Sequence, residues 1–205
     1  MKRMKWILLM GISLFLFSSF NVNAQKVKLE SGDFALLKGQ TALNLEYVYD
    51  NLKVGKKSED EYIKSKVADY NKDEAGKGDR WLTNWKNDRQ NRYQPKFENL
   101  MNEYLSEKRI KAGVDKNAKY TVILKTLMIE PGFNVGVWRE DANINVELLF
   151  VETSNKTNVL AKVTMEKVPG RTYGGYDFDM GQRIEEAYAK CGKELAKLML
   201  KKGLK

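Results

Sequence analysis

The sequence predicts an α+β domain: one strand, a run of helices, a three-strand meander and a last helix, with the helices packed on one face of a four-stranded mixed sheet. Three observations carry this. Three segments alternate apolar and polar residues with a period of two, and a fourth, 120–130, is rich in β-branched residues. Two regions, 58–105 and 180–199, repeat their apolar residues at helical spacing. The connections between the last strands are marked by short turn signals.

The elements follow in order. Residues 25–40 are polar and irregular, with a short apolar insert at Phe34, Leu36 and Leu37. Leu43, Leu45, Tyr47 and Tyr49 alternate with Asn44, Glu46 and Asp50, a half-buried strand that Gly55 closes. Ser58 and Glu61 have the spacing of a capping box, so a helix starts there and carries Tyr62, Ile63, Val67 and Tyr70. Residues 75–78 interrupt it, and Asp79 is expected to cap a second helix bearing Trp81, Leu82 and Trp85. Pro95 suits the first turn of a third helix, where its missing N–H costs nothing. Phe97, Leu100, Met101, Tyr104 and Leu105 form that helix's stripe.

Strands return after Gly113. Residues 120–130 are β-branched-rich and end at Pro131-Gly132. Ile144, Val146, Leu148 and Phe150 alternate, as do Val159, Ala161, Val163 and Met165. The short polar turn between them predicts an antiparallel hairpin. The long helical crossover lets the first strand run parallel to a neighbour. Ile184, Ala187, Tyr188, Cys191, Leu195, Leu198 and Met199 share one face of the last helix, opposite a lysine-rich back.

The chain ends and composition bound the function. Lys2, Arg3 and Lys5 precede an apolar run, and Val22-Asn23-Ala24 has small residues where signal peptidase cleaves. Residues 1–24 read as a signal peptide and 25–205 as one domain. The apolar run is short for a membrane span, and no cysteine stands at the cleavage point to take a lipid. The expectation is a periplasmic or secreted protein, not a lipoprotein, with no transmembrane span in its mature form. Cleavage leaves 181 of 205 residues and removes three basic ones, lowering the net charge from +9 to +6. The chain has no histidine and one cysteine. Imidazole-based nucleophile systems and imidazole or thiolate zinc sites are thereby removed. No cofactor and no metal is expected. Cys191 reads as a buried small hydrophobe.

Three stretches are candidates for binding. Residues 172–181, "TYGGYDFDMG", place Tyr173, Gly174-Gly175, Asp177 and Asp179 before the last helix, with Arg171 alongside. The spacing of Asp177, Asp179 and Gly181 is similar to the start of a calcium loop, but Tyr188 stands where the loop needs glutamate. Two carboxylates would also repel an anion cradled by the glycines. A chain hinge with Asp179 as helix cap is the plainer reading. Phe133 and Trp138 lie between two strands, either on an exposed apolar hairpin tip or as a continuation of the sheet with Trp138 under the helices. Trp81 to Tyr93 interleaves aromatics with Arg80, Lys86, Arg89 and Arg92, a pattern that can stack sugars or bases. The four-residue spacing of Trp81 and Trp85 is equally that of helix packing. An exported protein meets little nucleic acid, so none is expected as partner.

Segments 36–63, 76–105, 120–170 and 178–199, among them "GKGDRWLTNWKNDRQNRYQPKFENLMNEYL" and "FDMGQRIEEAYAKCGKELAKLM", resemble a family of secreted proteins found mainly in Bacteroidetes. The likeness runs over essentially all of residues 25–205. It implies an envelope location. The functional expectation is a non-catalytic envelope module that binds a protein, lipid or glycan. The alternative is a carboxylate-dependent hydrolase acting on glycans, with Asp177 and Asp179 as its acidic pair.

Overall fold

The computed structural model describes residues 25–204 apart from 136–137 and 171–178; the side chains of 134–139 are likewise outside the description. The expected signal peptide therefore lies outside the described residues. The chain runs β1 (Lys26–Ser31), β2 (Ala42–Val48), β3 (Lys53–Val54), β4 (Lys57–Ser58), α1 (Glu59–Asp73), α2 (Lys77–Asp88) and α3 (Gln94–Leu105). It continues β5 (Lys111–Gly113), β6 (Tyr120–Glu130), β7 (Phe133–Val135), β8 (Trp138–Glu140), β9 (Asn143–Glu152), β10 (Asn155–Pro169) and α4 (Met180–Lys202). The fold is α+β around a large mixed sheet.

The four expected strands sit side by side at its centre, in the order β10, β9, β6, β2. The sheet is larger than four strands, with eight among the described residues. β1 extends one edge by antiparallel pairing with β10, and β5 extends the other by parallel pairing with β2. The small ribbon β3–β4 is attached to β6. β2 runs parallel to β6, as the long crossover allows, and β9–β10 is the expected antiparallel hairpin.

Strand alternation does its usual work. Val122, Leu124, Ile144, Val146, Leu148, Phe150, Val163 and Met165 are buried in one cluster with α3 and α4. α4 contributes Ile184, Ala187, Tyr188, Cys191, Leu195 and Met199, the expected stripe, while Leu198 is only partly covered. Burial pushes the Cys191 thiol well above the ordinary thiol range, and its Sγ rests 3.5 Å from Met165 Sδ. Phe34 and Leu37, the apolar insert, plug the same core, with Phe34 edge-on to Phe150.

Two helix starts differ in kind. At α1 the capping box is present: Glu61 N–H donates to Ser58 Oγ, and Ser58 N–H donates to the Glu61 carboxylate. At α2 the start lies two residues earlier than Asp79. Gly76 adopts φ +77° and Asp79 sits inside the first turn, so a left-handed glycine turn replaces the side-chain cap. α2 and α3 are not separate rods. Arg89–Tyr93 joins them as a π-helical turn in which Gln94 N–H reaches back to the Arg89 carbonyl. The widened turn accommodates the ring of Pro95, which would otherwise press on the carbonyl four residues behind.

Candidate functional site

α1 and α2 form a hairpin that can close tightly because Gly78 has no Cβ; one would sit 2.4 Å from the Val67 carbonyl oxygen. Their facing sides make an aromatic wall. Tyr62 and Tyr70 come from α1, Trp81 and Trp85 from α2. The indoles stack at 5.7 Å and 21°, Tyr62 meets Trp81 at 5.9 Å, and Tyr70 meets Trp81 at 5.9 Å. This wall lines a cleft of about 1010 Å³. The β3–β4 turn, the corner at Glu130–Phe133 and the first turn of α4 complete the lining. Trp85 is 2% exposed and forms the buried base of the wall, whereas Tyr62, Tyr70 and Trp81 are half-buried. The spacing of Trp81 and Trp85 thus serves core packing and a cleft surface together.

Trp85 is held from behind. Its Nε1–H donates to Glu59 Oε1 at 2.6 Å, and the same oxygen accepts from Arg89. The Arg89 guanidinium in turn lies 4.3 Å from the Tyr49 ring centroid.

Polar groups converge at the α4 end. Asp88, Arg92 and Asp179 meet around Gly181, where an added Cβ would sit 2.3 Å from Asp88 Oδ2. Arg92 pairs with Asp88 at 3.1 Å and Asp179 at 2.7 Å. Asp179 also caps α4, accepting from the Gly181 and Gln182 amides. Partial burial raises the Asp179 carboxyl, but Arg92 and the two amides outweigh it and leave the pKa below the ordinary value. At Asp88 burial wins over Arg92, assisted by Asp179 and Glu185, and the pKa lies above the ordinary value. Glu130 is raised too, by burial first and by Glu140, despite the Gly132 amide.

Of the expected site residues, the fold brings Phe133 and Asp179 to this one cleft. Phe133 is 44% exposed. Its segment does not continue the main sheet; β7 and β8 form their own antiparallel ribbon, with Trp138 opposite Val135. Arg171, Tyr173, Gly174-Gly175 and Asp177 lie outside the described residues, as does the Trp138 side chain. Tyr62, Tyr70, Glu130 and Arg183 join the lining without having been singled out. The spacing of Tyr62, Lys66 and Tyr70 at successive helical turns was the available signal; Glu130 and Arg183 carry none. Among the described residues no group of three acidic or thiol side chains is placed to hold a metal ion. No described helix is long and apolar enough to cross a membrane.

The cap reading has a direct consequence. Asp179→Ala should cost about 0.5–2 kcal/mol, the usual loss for an N-cap. Because the folded pKa is depressed, this contribution is present above the unfolded carboxylate range, about pH 4, and disappears as pH falls through the lower folded value. Denaturation of both proteins at pH 7 and at low pH checks it: the gap should narrow in acid. A gap that widened in acid would contradict the ionised Asp179 that Arg92 and the two capping amides hold.

No family model matches the chain, and no curated protein matches it. Among solved structures it is similar to the PelC dodecamer from Paraburkholderia phytofirmans, at 12% identity and a TM-score of 0.41, covering 84% of this chain and 98% of that one. A point variant of the same dodecamer gives 13% identity and a TM-score of 0.39, covering 82% and 97%.

Proposed function

We propose that the protein is a non-catalytic, exported envelope module that binds a glycan in the aromatic cleft. The observation that carries this is the wall of Tyr62, Tyr70 and Trp81 beside Asn84, Asn87 and Asn91 in one cavity. A pyranose ring presents apolar C–H faces and a rim of hydroxyls. Aromatic faces take the former, and the exposed amides, each able to donate and accept, suit the latter. Export rests on the pattern of residues 1–24.

A carboxylate-dependent hydrolase is the second reading. It is favoured by Asp88 and Asp179, whose pKa values are displaced in opposite directions beside one cleft. Against it, Arg92 holds both carboxylates and Asp179 is also spent on the helix cap.

The test is calorimetric titration with a panel of oligosaccharides, with product analysis on the same mixtures. Binding without turnover is expected. Trp81→Ala should weaken it by about 1–3 kcal/mol, taking the loss of a base stacked on an aromatic ring as the scale. Turnover abolished by Asp88→Asn would replace the binder with the hydrolase. A panel with no binder, or a folded Trp81→Ala protein that binds as well as wild type, would remove the glycan reading.

A further inference from the structure

The charges around the cleft narrow the glycan. Its lining holds five cationic side chains, Lys56, Lys57, Lys66, Arg92 and Arg183, against the carboxylates Asp88, Glu130 and Asp179. The carboxylates are already answered. Asp88 and Asp179 sit on Arg92, and Glu130 accepts from the Gly132 amide at 3.2 Å. The lysines are not answered in the same way. Among the described residues none of Lys56, Lys57 and Lys66 forms an ion pair; Lys57 donates to Ser65 Oγ at 3.4 Å, and Lys66 meets only rings. The Lys66 ammonium lies 5.9 Å from the Tyr62 centroid and 5.4 Å from that of Tyr70. Both rings also touch Trp81, so the cation rests on the two tyrosines that flank the half-buried indole. A sugar stacked on Trp81 would share its cavity with Lys66 and the Lys56–Lys57 turn.

We infer that the cleft selects acidic glycans, with a uronate-type carboxylate on the sugar ring paired to Lys66, Lys56 and Lys57. This rests on the glycan reading above. It also gives a role to three cations that share a cavity with the aromatic wall and form no ion pair among the described residues.

The experiment compares three hexasaccharides: galacturonate, the same chain with every carboxylate methyl-esterified, and a neutral glucan. Each is titrated into the wild-type protein, a variant carrying Lys56→Gln, Lys57→Gln and Lys66→Gln, and Trp81→Ala. Folding of each is confirmed by circular dichroism; the lysine changes sit at exposed or half-buried positions and should preserve it. The galacturonate should bind wild type about tenfold tighter than its ester, as expected for one charge-assisted contact. Added salt should erode that preference. The lysine variant should bind acid and ester alike, and Trp81→Ala should weaken both. Equal binding of acid and ester to wild type overturns this inference while leaving the glycan reading standing. A preference that survives in the lysine variant overturns it as well. No binding of any hexasaccharide removes both readings, including the case in which anionic phosphatidylglycerol vesicles bind instead.

Discussion

Gly192→Ala should destabilise the protein by about 2 kcal/mol, and Gly192→Val by more, although alanine is the better helix former by about 1 kcal/mol. Gly192 lies in the middle of α4 where that helix crosses α3. An added Cβ would stand 2.2 Å from the Phe97 carbonyl oxygen, 3.0 Å from its carbonyl carbon and 3.2 Å from Met101 N. These are backbone atoms of a neighbouring helix, so no rotamer change relieves the contact. The helices must separate, and overpacking of this kind costs typically about 1–3 kcal/mol. Separation would also loosen Phe97 and Met101, which are fully buried beneath the crossing. Urea denaturation is the measurement, with an unchanged m-value showing that stability alone has moved. Lys190→Ala, exposed on the same helix, should stay within about 0.5 kcal/mol of wild type and serves as control. A Gly192→Ala protein as stable as wild type would mean that α3 and α4 do not approach as described.

The centre of the sheet was legible because three of its four strands are long enough for alternation to show and the fourth, Tyr120–Glu130, is rich in β-branched residues. The edges were not. Lys26–Ser31 offers only Val27 and Leu29 to the core, and both remain partly exposed. The three residues of β5 owe their place to pairing with β2 and to Asn102, whose side chain both donates to and accepts from Ala112. Neither device leaves a periodic trace. The helix starts show the same division. Ser58 and Glu61 are three residues apart and could be read locally, whereas the glycine turn at Gly76 displaced the expected cap at Asp79. The cleft was half legible for a related reason. Helical spacing puts Trp81 and Trp85 on one face, but the same spacing serves core and cleft, and only tertiary packing divides a buried base from a half-open wall. Arg92 and Asp179 are 87 residues apart, so their pairing was beyond any local pattern.

Glu59→Ala is the change expected to affect the fold and the cleft together. Glu59 and Arg89 are 18% and 21% exposed at their side chains, so their pair is sheltered but not sealed. The carboxylate is the common acceptor for Arg89 and for the Trp85 indole N–H. Removing it leaves a partly buried guanidinium and a buried N–H without their acceptor, and both costs fall on the folded state. Breaking a buried pair costs about 3–5 kcal/mol, and the residual exposure brings the expectation here to about 2–3 kcal/mol. Arg89→Ala should cost less, because the remaining carboxylate keeps the indole as donor. A double-mutant cycle should therefore show coupling of at least about 1 kcal/mol. The optical signature is separate from stability: Trp85 loses its charged acceptor, so its fluorescence should shift under conditions where the variant is fully folded. Because Trp85 backs Trp81 in a stack, the proposed oligosaccharide binding should weaken in the same variant, though Glu59 is not itself part of the cleft lining. A cost below about 0.5 kcal/mol with unchanged fluorescence would show that the aromatic wall stands without this support.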